Sequence, residues 1–228
     1  MYSFVLLAGG SGTRMKNPMP KQYMLLAGKP VIMHTLERID TIDEIGETII
    51  VCAEEYIEKI KFMMEQYGIV KRVSFALSGK TRQESVYSGL EKATYDNVII
   101  HEAARPFVKK EEFGELIACQ EDNVIIGSPI SFTVLKGAGK VEDILNRSEL
   151  VNVQLPQKFN LELLKNAHYK AKVDGILFTE DASLVHYYYP DVEIKIIAGK
   201  DYNIKVTTPT DMIIGKMIYD EYFSRRSD

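Results

Sequence analysis

YSFVLLAGGSGTRMKNPMPKQY, residues 2–23, begins with an apolar run and passes directly into a turn holding Ala8, Gly9, Gly10 and Gly12, then Arg14 and Lys21. A connecting turn needs about one glycine for its geometry, whereas a loop whose backbone N–H groups approach an anion needs several. Pro18 and Pro20 restrict the backbone between the two cations, so Arg14 and Lys21 are held rather than left waving in solvent. An apolar strand feeding such a turn is the context of a nucleotide site at the carboxyl edge of a parallel sheet, and glycine N–H groups with two fixed cations suit a triphosphate.

Outward from this stretch, short Val/Ile-rich runs alternate with longer segments of helical period. Residues 2–8, 47–53, 72–77, 97–101 and 123–129 read as strands, and Ile57, Ile60, Met64 and Tyr67 mark an amphipathic crossover helix, as do Val86, Leu90 and Ala93. The expected architecture is a single α/β domain over residues 1–228, Rossmann-like, with a mainly parallel sheet flanked by helices. Residues 131–150 break the rhythm with two glycines and mixed polarity, and read as a protruding, hairpin-like β-arm. After the arm come a strand at 151–156, helices at 160–172 and 179–189, a strand at 192–199 and a last helix from Thr210 to Phe223, opened by Thr208-Pro209-Thr210-Asp211.

Composition narrows the function classes. With 46% hydrophobic and 26% charged residues the chain is of ordinary globular make-up, which excludes a disordered chain. A net charge of −4 provides no electrostatic footprint for nucleic acid or a membrane surface, so the basic residues serve a local site. Two cysteines, Cys52 in an expected strand and Cys119 in an expected helix, match neither a disulfide framework nor a zinc site and read as buried thiols of a cytoplasmic protein. The common nucleotide motifs fail on residue identity. From Gly10 the chain reads G-S-G-T-R-M, with Met15 where a dinucleotide fingerprint has its third glycine, and no G-K-[ST] closes a Walker loop.

LLAGGSGTRM followed by PKQY resembles the nucleotide-binding loop of the sugar-nucleotidyltransferase superfamily, and its spacing resembles the cytidylyltransferases acting on 2-C-methyl-D-erythritol 4-phosphate and on ribitol 5-phosphate. SGKTRQESVYSGL (78–90), HEAARPF (101–107), TVLK (133–136), NRSELVNVQLPQKF (146–159), TEDAS (179–183) and GKDYNIKVTTPTDM (199–212) extend the resemblance in family order along the chain. It implies transfer of CMP from CTP to a polyol phosphate, with Mg²⁺ as cofactor and a homodimer whose arm crosses to the partner. Leu7, Ala8, Gly9, Gly10, Ser11, Gly12 and Thr13 are implied as nucleotide-binding loop, and Gly79, Arg82 and Ser85 as the wall for cytosine and ribose. The resemblance assigns Arg14 and Lys21 to the triphosphate, and Arg147 and Lys205 to positioning the polyol phosphate; these four are the candidate catalytic residues. Glu102 is implied as metal ligand and, with Arg105, Thr133 and Thr179, as substrate contact.

Four positions depart from the methylerythritol pattern: Glu102 and Glu180 stand where Asp is usual, Leu155 replaces a Thr hydroxyl, and Lys80 follows Gly79 where an acidic residue is common. AARP and DAS favour methylerythritol phosphate as acceptor; ribitol 5-phosphate, another polyol phosphate, or a nucleotide sensor that has lost catalysis are the alternatives. A phosphate monoester is already ionised near neutrality, so the reaction needs no strong base, and His101 reads as an oriented structural imidazole. His34 and His168 carry no signal, while His186 and Tyr187–Tyr189 read as helix surface, packing or subunit contact.

Overall fold

The computed structural model describes residues 1–10 and 19–224. Chain order begins with strand β1 (Tyr2–Leu7), the short strands β2 (Leu25–Leu26) and β3 (Lys29–Pro30), helix α1 (Val31–Asp40), β4 (Ile45–Cys52), α2 (Ile57–Gln66), β5 (Val73–Leu77) and α3 (Arg82–Leu90). It continues with β6 (Asn97–Glu102), α4 (Lys110–Ala118), β7 (Val124–Pro129), β8 (Leu135–Lys136), β9 (Asp143–Ile144) and β10 (Val151–Asn160). The last elements are α5 (Leu161–Asp174), α6 (Asp181–Tyr188), β11 (Lys195–Ala198) and α7 (Pro209–Tyr222).

Seven strands form one sheet in the order β11-β7-β10-β6-β1-β4-β5. β1 sits inside it with parallel neighbours on both sides, Phe4 opposite Thr48 of β4 and Ile99 of β6. Because side chains alternate along a strand, Phe4 and Leu6 join one apolar layer while Val5 joins the other. Ile32 and Leu36 of α1, Ile60 of α2 and Phe113 of α4 cover the first face. Val86 of α3, Leu164 of α5 and Val185 of α6 cover the second. Burial on both faces is why these strands read as continuous Val/Ile runs.

β10 runs antiparallel to both its neighbours. The strand extends beyond the expected 151–156 to Asn160, and its ladder with β7 shifts register between Gln154 and Gln157, where Pro156 has no N–H to donate. Asn160 then caps α5 by accepting from the Leu163 N–H at 3.0 Å. One helix, α1, has no counterpart in the sequence reading, and another, α4, is expected there only as the helix holding Cys119, just before which it ends. α1 buries Val31, Ile32, Met33, His34, Thr35 and Leu36 in succession and starts after Pro30 with no capping side chain, and α4 is a short helix whose clearest mark is Glu112 bonding back to the Lys109 N–H.

Residues 131–150 form the expected arm: β8 and β9 pair antiparallel, Leu135 opposite Ile144, and Phe132 is 81% exposed. Gly137 turns between them at φ +151°, where a Cβ would lie 2.0 Å from the Lys140 carbonyl oxygen. Cys52 is buried in β4, but Cys119 follows the last residue of α4 and is half-buried, not inside a helix.

Candidate active site

β4 and β5 lie on one side of β1 and β6 on the other, so the chain reverses its winding direction at β1/β6. Loops leaving the carboxyl ends of strands diverge at such a point and leave a crevice. A cavity of about 460 Å³ occupies it, lined by Leu7, Ala8, Gly9 and Gly10 after β1, Lys21 and Gln22, and Gly79 to Arg82 with Ser85. Glu102 and Ala104 after β6, with Lys205 and Thr207 from the segment before α7, close the remaining wall.

The β1 loop is held by its backbone. The Ala8 N–H donates to the Val51 carbonyl at 2.7 Å, and Gln22 Nε2 donates to the carbonyls of Ala8 at 2.6 Å and Gly10 at 3.0 Å. Gly9 passes so close to the β5 loop that a Cβ would fall 2.3 Å from the Ser78 Cβ. Lys21 opens a short 3-10 turn, Lys21–Tyr23, anchored by Tyr23 stacking on Tyr56 at 4.6 Å between ring centroids. Lys21 is buried against the cavity wall, as the two prolines before it predict. Gln22 of the PKQY motif, to which the resemblance assigns no role, ties the loop carbonyls together.

The β5 loop is equally constrained. Ser85 Oγ accepts from the Gly79 N–H at 3.0 Å and donates to the Thr81 carbonyl at 2.9 Å. Thr81 caps α3 by accepting from the Glu84 N–H, and Arg82, the first residue of α3, turns inward.

A line of alternating charges runs from the cavity into the core. Lys205 Nζ lies 2.5 Å from Glu102 Oε2, and Arg82 Nε donates to Glu102 Oε1 at 3.2 Å. Arg82 also donates to Asp181 Oδ2 at 2.7 Å, and His168 Nε2 donates to Asp181 Oδ1 at 3.0 Å. Burial works to raise the Glu102 pKa, but the Lys205 and Arg82 charges outweigh it and hold the carboxyl below the usual range. Asp181 is fully buried, and there too the Arg82 guanidinium and the His168 bond overcome desolvation and depress the pKa. Arg82 is correspondingly raised, its two carboxylates outweighing its own burial. Asp181 and His168 are functional neighbours that spacing in the sequence did not disclose, since Asp181 lies 99 residues from Arg82.

Of the residues singled out from the sequence, Leu7, Ala8, Gly9, Gly10, Lys21, Gly79, Arg82, Ser85, Glu102 and Lys205 line this one cavity. Ser11, Gly12, Thr13 and Arg14 lie outside the described residues. Arg105 does not line it: its Nη1 donates to the Asn203 carbonyl at 2.9 Å, bracing the segment that carries Lys205. Thr133 and Arg147 are exposed on the arm, Arg147 donating to the Ser131 carbonyl at 3.2 Å. Thr179 is exposed before α6, where Glu180 caps the helix through the Ala182 and Ser183 N–H groups. Leu155 is buried, and its carbonyl accepts from Asn203 Nδ2 at 2.8 Å. His101 is fully buried with Nε2 on the Arg105 carbonyl, a structural imidazole as expected.

Lys21, Lys80, Arg82 and Lys205 face the cavity with Glu102 as the carboxylate among its lining residues. That balance suits a polyanion. Among the described residues no cluster of three or more His, Cys, Asp or Glu side chains forms a protein cage for a metal. A hard cation bound chiefly by phosphate oxygens needs one or two carboxylates, and Glu102, whose oxygens face Arg82 and Lys205, is the carboxylate among the described lining residues.

A family model described as 2-C-methyl-D-erythritol 4-phosphate cytidylyltransferase matches residues 2–221. The chain is 36% identical over 224 residues to the enzyme of that name from Halalkalibacterium halodurans, covering 96% of this chain and 97% of that one. It is 38% identical over 223 residues to the enzyme of that name from Bacillus cytotoxicus, covering 95% and 96%. The crystal structure of 4-diphosphocytidyl-2C-methyl-D-erythritol synthase from Anaerococcus prevotii superposes with a TM-score of 0.86 at 26% identity, over 96% of each chain.

Proposed function

The chain belongs to the 2-C-methyl-D-erythritol 4-phosphate cytidylyltransferase family, a family of CTP-dependent enzymes, and from that premise we propose how its own side chains transfer CMP from CTP to the acceptor phosphate. An oxygen of the acceptor phosphate monoester attacks the α-phosphorus of CTP in line. A new P–O bond forms there while the bond from the α-phosphorus to the bridging β-oxygen breaks, and pyrophosphate leaves with the electron pair. The attacking oxygen is ionised near neutrality, so catalysis is positioning and charge stabilisation rather than proton removal. The mixture of cations and backbone N–H groups around the cavity, with no Ser-His-Asp or Cys-His set among the described lining residues, matches that demand.

Lys21, with Arg14, neutralises the triphosphate and the charge growing on the α-phosphorus, and the N–H groups of Gly9 and Gly10 approach the same phosphates. Gly79, Arg82 and Ser85 form the wall for the nucleoside, and Lys205 takes the acceptor phosphate. Glu102 would hold Mg²⁺, whose charge would offset that of the phosphates. One observation carries the reading: Lys21 from the β1 loop and Lys205 from the segment before α7, far apart in sequence, line one cavity. Release of pyrophosphate from CTP and Mg²⁺ across a panel of polyol phosphates tests it. Turnover with 2-C-methyl-D-erythritol 4-phosphate supports it, and silence with every member overturns it.

Arg147 and Thr133 complete the acceptor site from a second copy of the chain, in a cytoplasmic homodimer. Both sit on the arm rather than on their own chain's cavity. The arm carries Phe132 at 81% and Ile144 at 75% exposure, apolar surface suited to cover by a partner. Both cysteines are free, and no helix among the described residues is long and apolar enough to cross a membrane.

A further inference from the structure

We infer that His168 is a positioning residue for the nucleotide pocket, acting through Asp181 on Arg82. This rests on the assignment of Arg82 to the nucleoside wall. Arg82 reaches the cavity from the first turn of α3, and its guanidinium is fixed by two carboxylates, Glu102 on one side and Asp181 on the other. Glu102 faces the substrates, but Asp181 is 1% exposed and lines no part of the cavity. Its use is therefore to hold Arg82. The terminal torsion of an aspartate is soft, so one bond to Arg82 leaves the carboxylate free to swing. His168, on the middle of α5, removes that freedom by bonding the second oxygen, Oδ1, at 3.0 Å while Oδ2 holds Arg82 at 2.7 Å.

The ring itself is set by packing. Its side chain is 1% exposed, and it lies 6.4 Å from the Tyr87 ring of α3. A carboxylate oxygen only accepts, so Nε2 carries the hydrogen and Nδ1 has no partner among the described residues. A histidine kept only for packing would not need its one hydrogen bond aimed at the carboxylate behind a substrate-facing arginine. His168 also lines a second cavity of about 590 Å³ between α3 and α5, lined by Tyr87, Lys172 and Leu177, large enough to admit a free imidazole if the side chain is removed.

The experiment is steady-state kinetics of the full-length enzyme with His168→Ala, His168→Gln and Arg82→Ala, each with and without added imidazole or N-methylimidazole. His168→Ala is expected to raise KM for CTP about tenfold, the loss of one hydrogen bond to a charged group, with kcat within about twofold of wild type. His168→Gln, whose amide can donate in place of Nε2, is expected to keep most of the wild-type KM, and it covers the case in which the alanine variant folds poorly. Imidazole is expected to lower the raised KM of His168→Ala, and N-methylimidazole, which has no N–H, is not. Arg82→Ala with a raised KM, joined by His168 variants whose KM is unchanged, overturns the inference; so do equal losses in kcat and KM that imidazole does not relieve. If Arg82→Ala itself leaves KM for CTP unchanged, the nucleoside-wall assignment fails, and this inference with it.

Discussion

Glu102 Oε2 and Lys205 Nζ face each other at 2.5 Å on the cavity wall, the carboxylate from the end of β6 and the ammonium from the segment before α7. In the proposed mechanism the pair holds the lysine for the acceptor phosphate, on the same cavity that Gly9 and Gly10 line. Lys205→Ala is therefore expected to lower kcat by about 10²–10³, as for removal of one donor to a developing charge, while CTP affinity stays within a few-fold. Pyrophosphate release and CTP titration measure the two separately. Weakened CTP binding with turnover intact would contradict the assigned role.

Placing Arg147 in the partner's site has a combinatorial consequence. Arg147→Ala and Lys205→Ala are each expected to be nearly inactive, yet a mixed dimer has one site that receives an intact Arg147 and an intact Lys205. Unfolding the two variants together and refolding them at equal amounts is expected to restore about a quarter of wild-type activity, from random pairing and one working site per mixed dimer. No recovery in a sample shown to contain mixed dimers would remove the arm from the active site.

Gly9 is required for close approach. A Cβ there would meet the Ser78 Cβ at 2.3 Å, and Ser78 cannot recede while its N–H is bonded to the Cys52 carbonyl at 2.9 Å. Gly9→Ala is expected to cost about 1–3 kcal/mol of stability and to raise KM for CTP. Adding Ser78→Gly removes the colliding atom and should recover most of the loss in denaturant unfolding; a double variant no more stable than Gly9→Ala would refute the steric account.

Stability should fall on mild acidification. Burial holds His101 at a pKa of about 4, against 6.5 for a free imidazole, with its bond to the Arg105 carbonyl opposing the shift only in part. His34, buried in α1, is depressed in the same way to about 4. Between pH 6.5 and 4 the unfolded chain binds protons that the fold does not, so the contribution is complete above pH 6.5 and drains away as the pH drops through that window. The full loss, reached below pH 4, is about 3 kcal/mol for His101, of which about 2 kcal/mol falls between pH 7 and pH 5, where urea midpoints should differ accordingly. His101→Leu should flatten part of the slope; a wild-type midpoint unchanged across that range would disprove the account. Asp181 and Glu102, depressed carboxylates, add a loss of the same sign at lower pH.

What was legible in the sequence follows from how each feature is encoded. β1, β4, β6 and β7 could be read because burial on both faces demands runs rich in Val and Ile, the half-buried edge strand β5 from its short apolar run, and the glycine loop because close backbone approach leaves few residue choices. α1 has a helical pattern, Ile32, Leu36 and Ile39 inward and Glu37 and Asp40 half-exposed, but Pro30 before it supplies no capping side chain to mark its start. Residues that meet across the fold are legible only through family resemblance, as with Lys205, or as a motif position without its partners, as with Asp181 in TEDAS, while His168 carries no signal at all. Arg105, which the resemblance implies as a substrate contact, has its Nη1 on the Asn203 carbonyl, a contact that no motif spacing discloses.

The reversal of β10 has an architectural consequence. Asn160 pairs with Asn97 at the start of β6 and Gln157 with Ile100 further along, so β10 begins at the rim where β6 ends. β7, which runs with β6 in direction, ends at the same rim, and the arm leaves from one strand and returns through the other. Inverting a single strand thus mounts the arm as a detachable cassette beside the nucleotide crevice. If Arg147 and Thr133 act as proposed, grafting a different arm at this rim is expected to alter acceptor choice more than CTP binding.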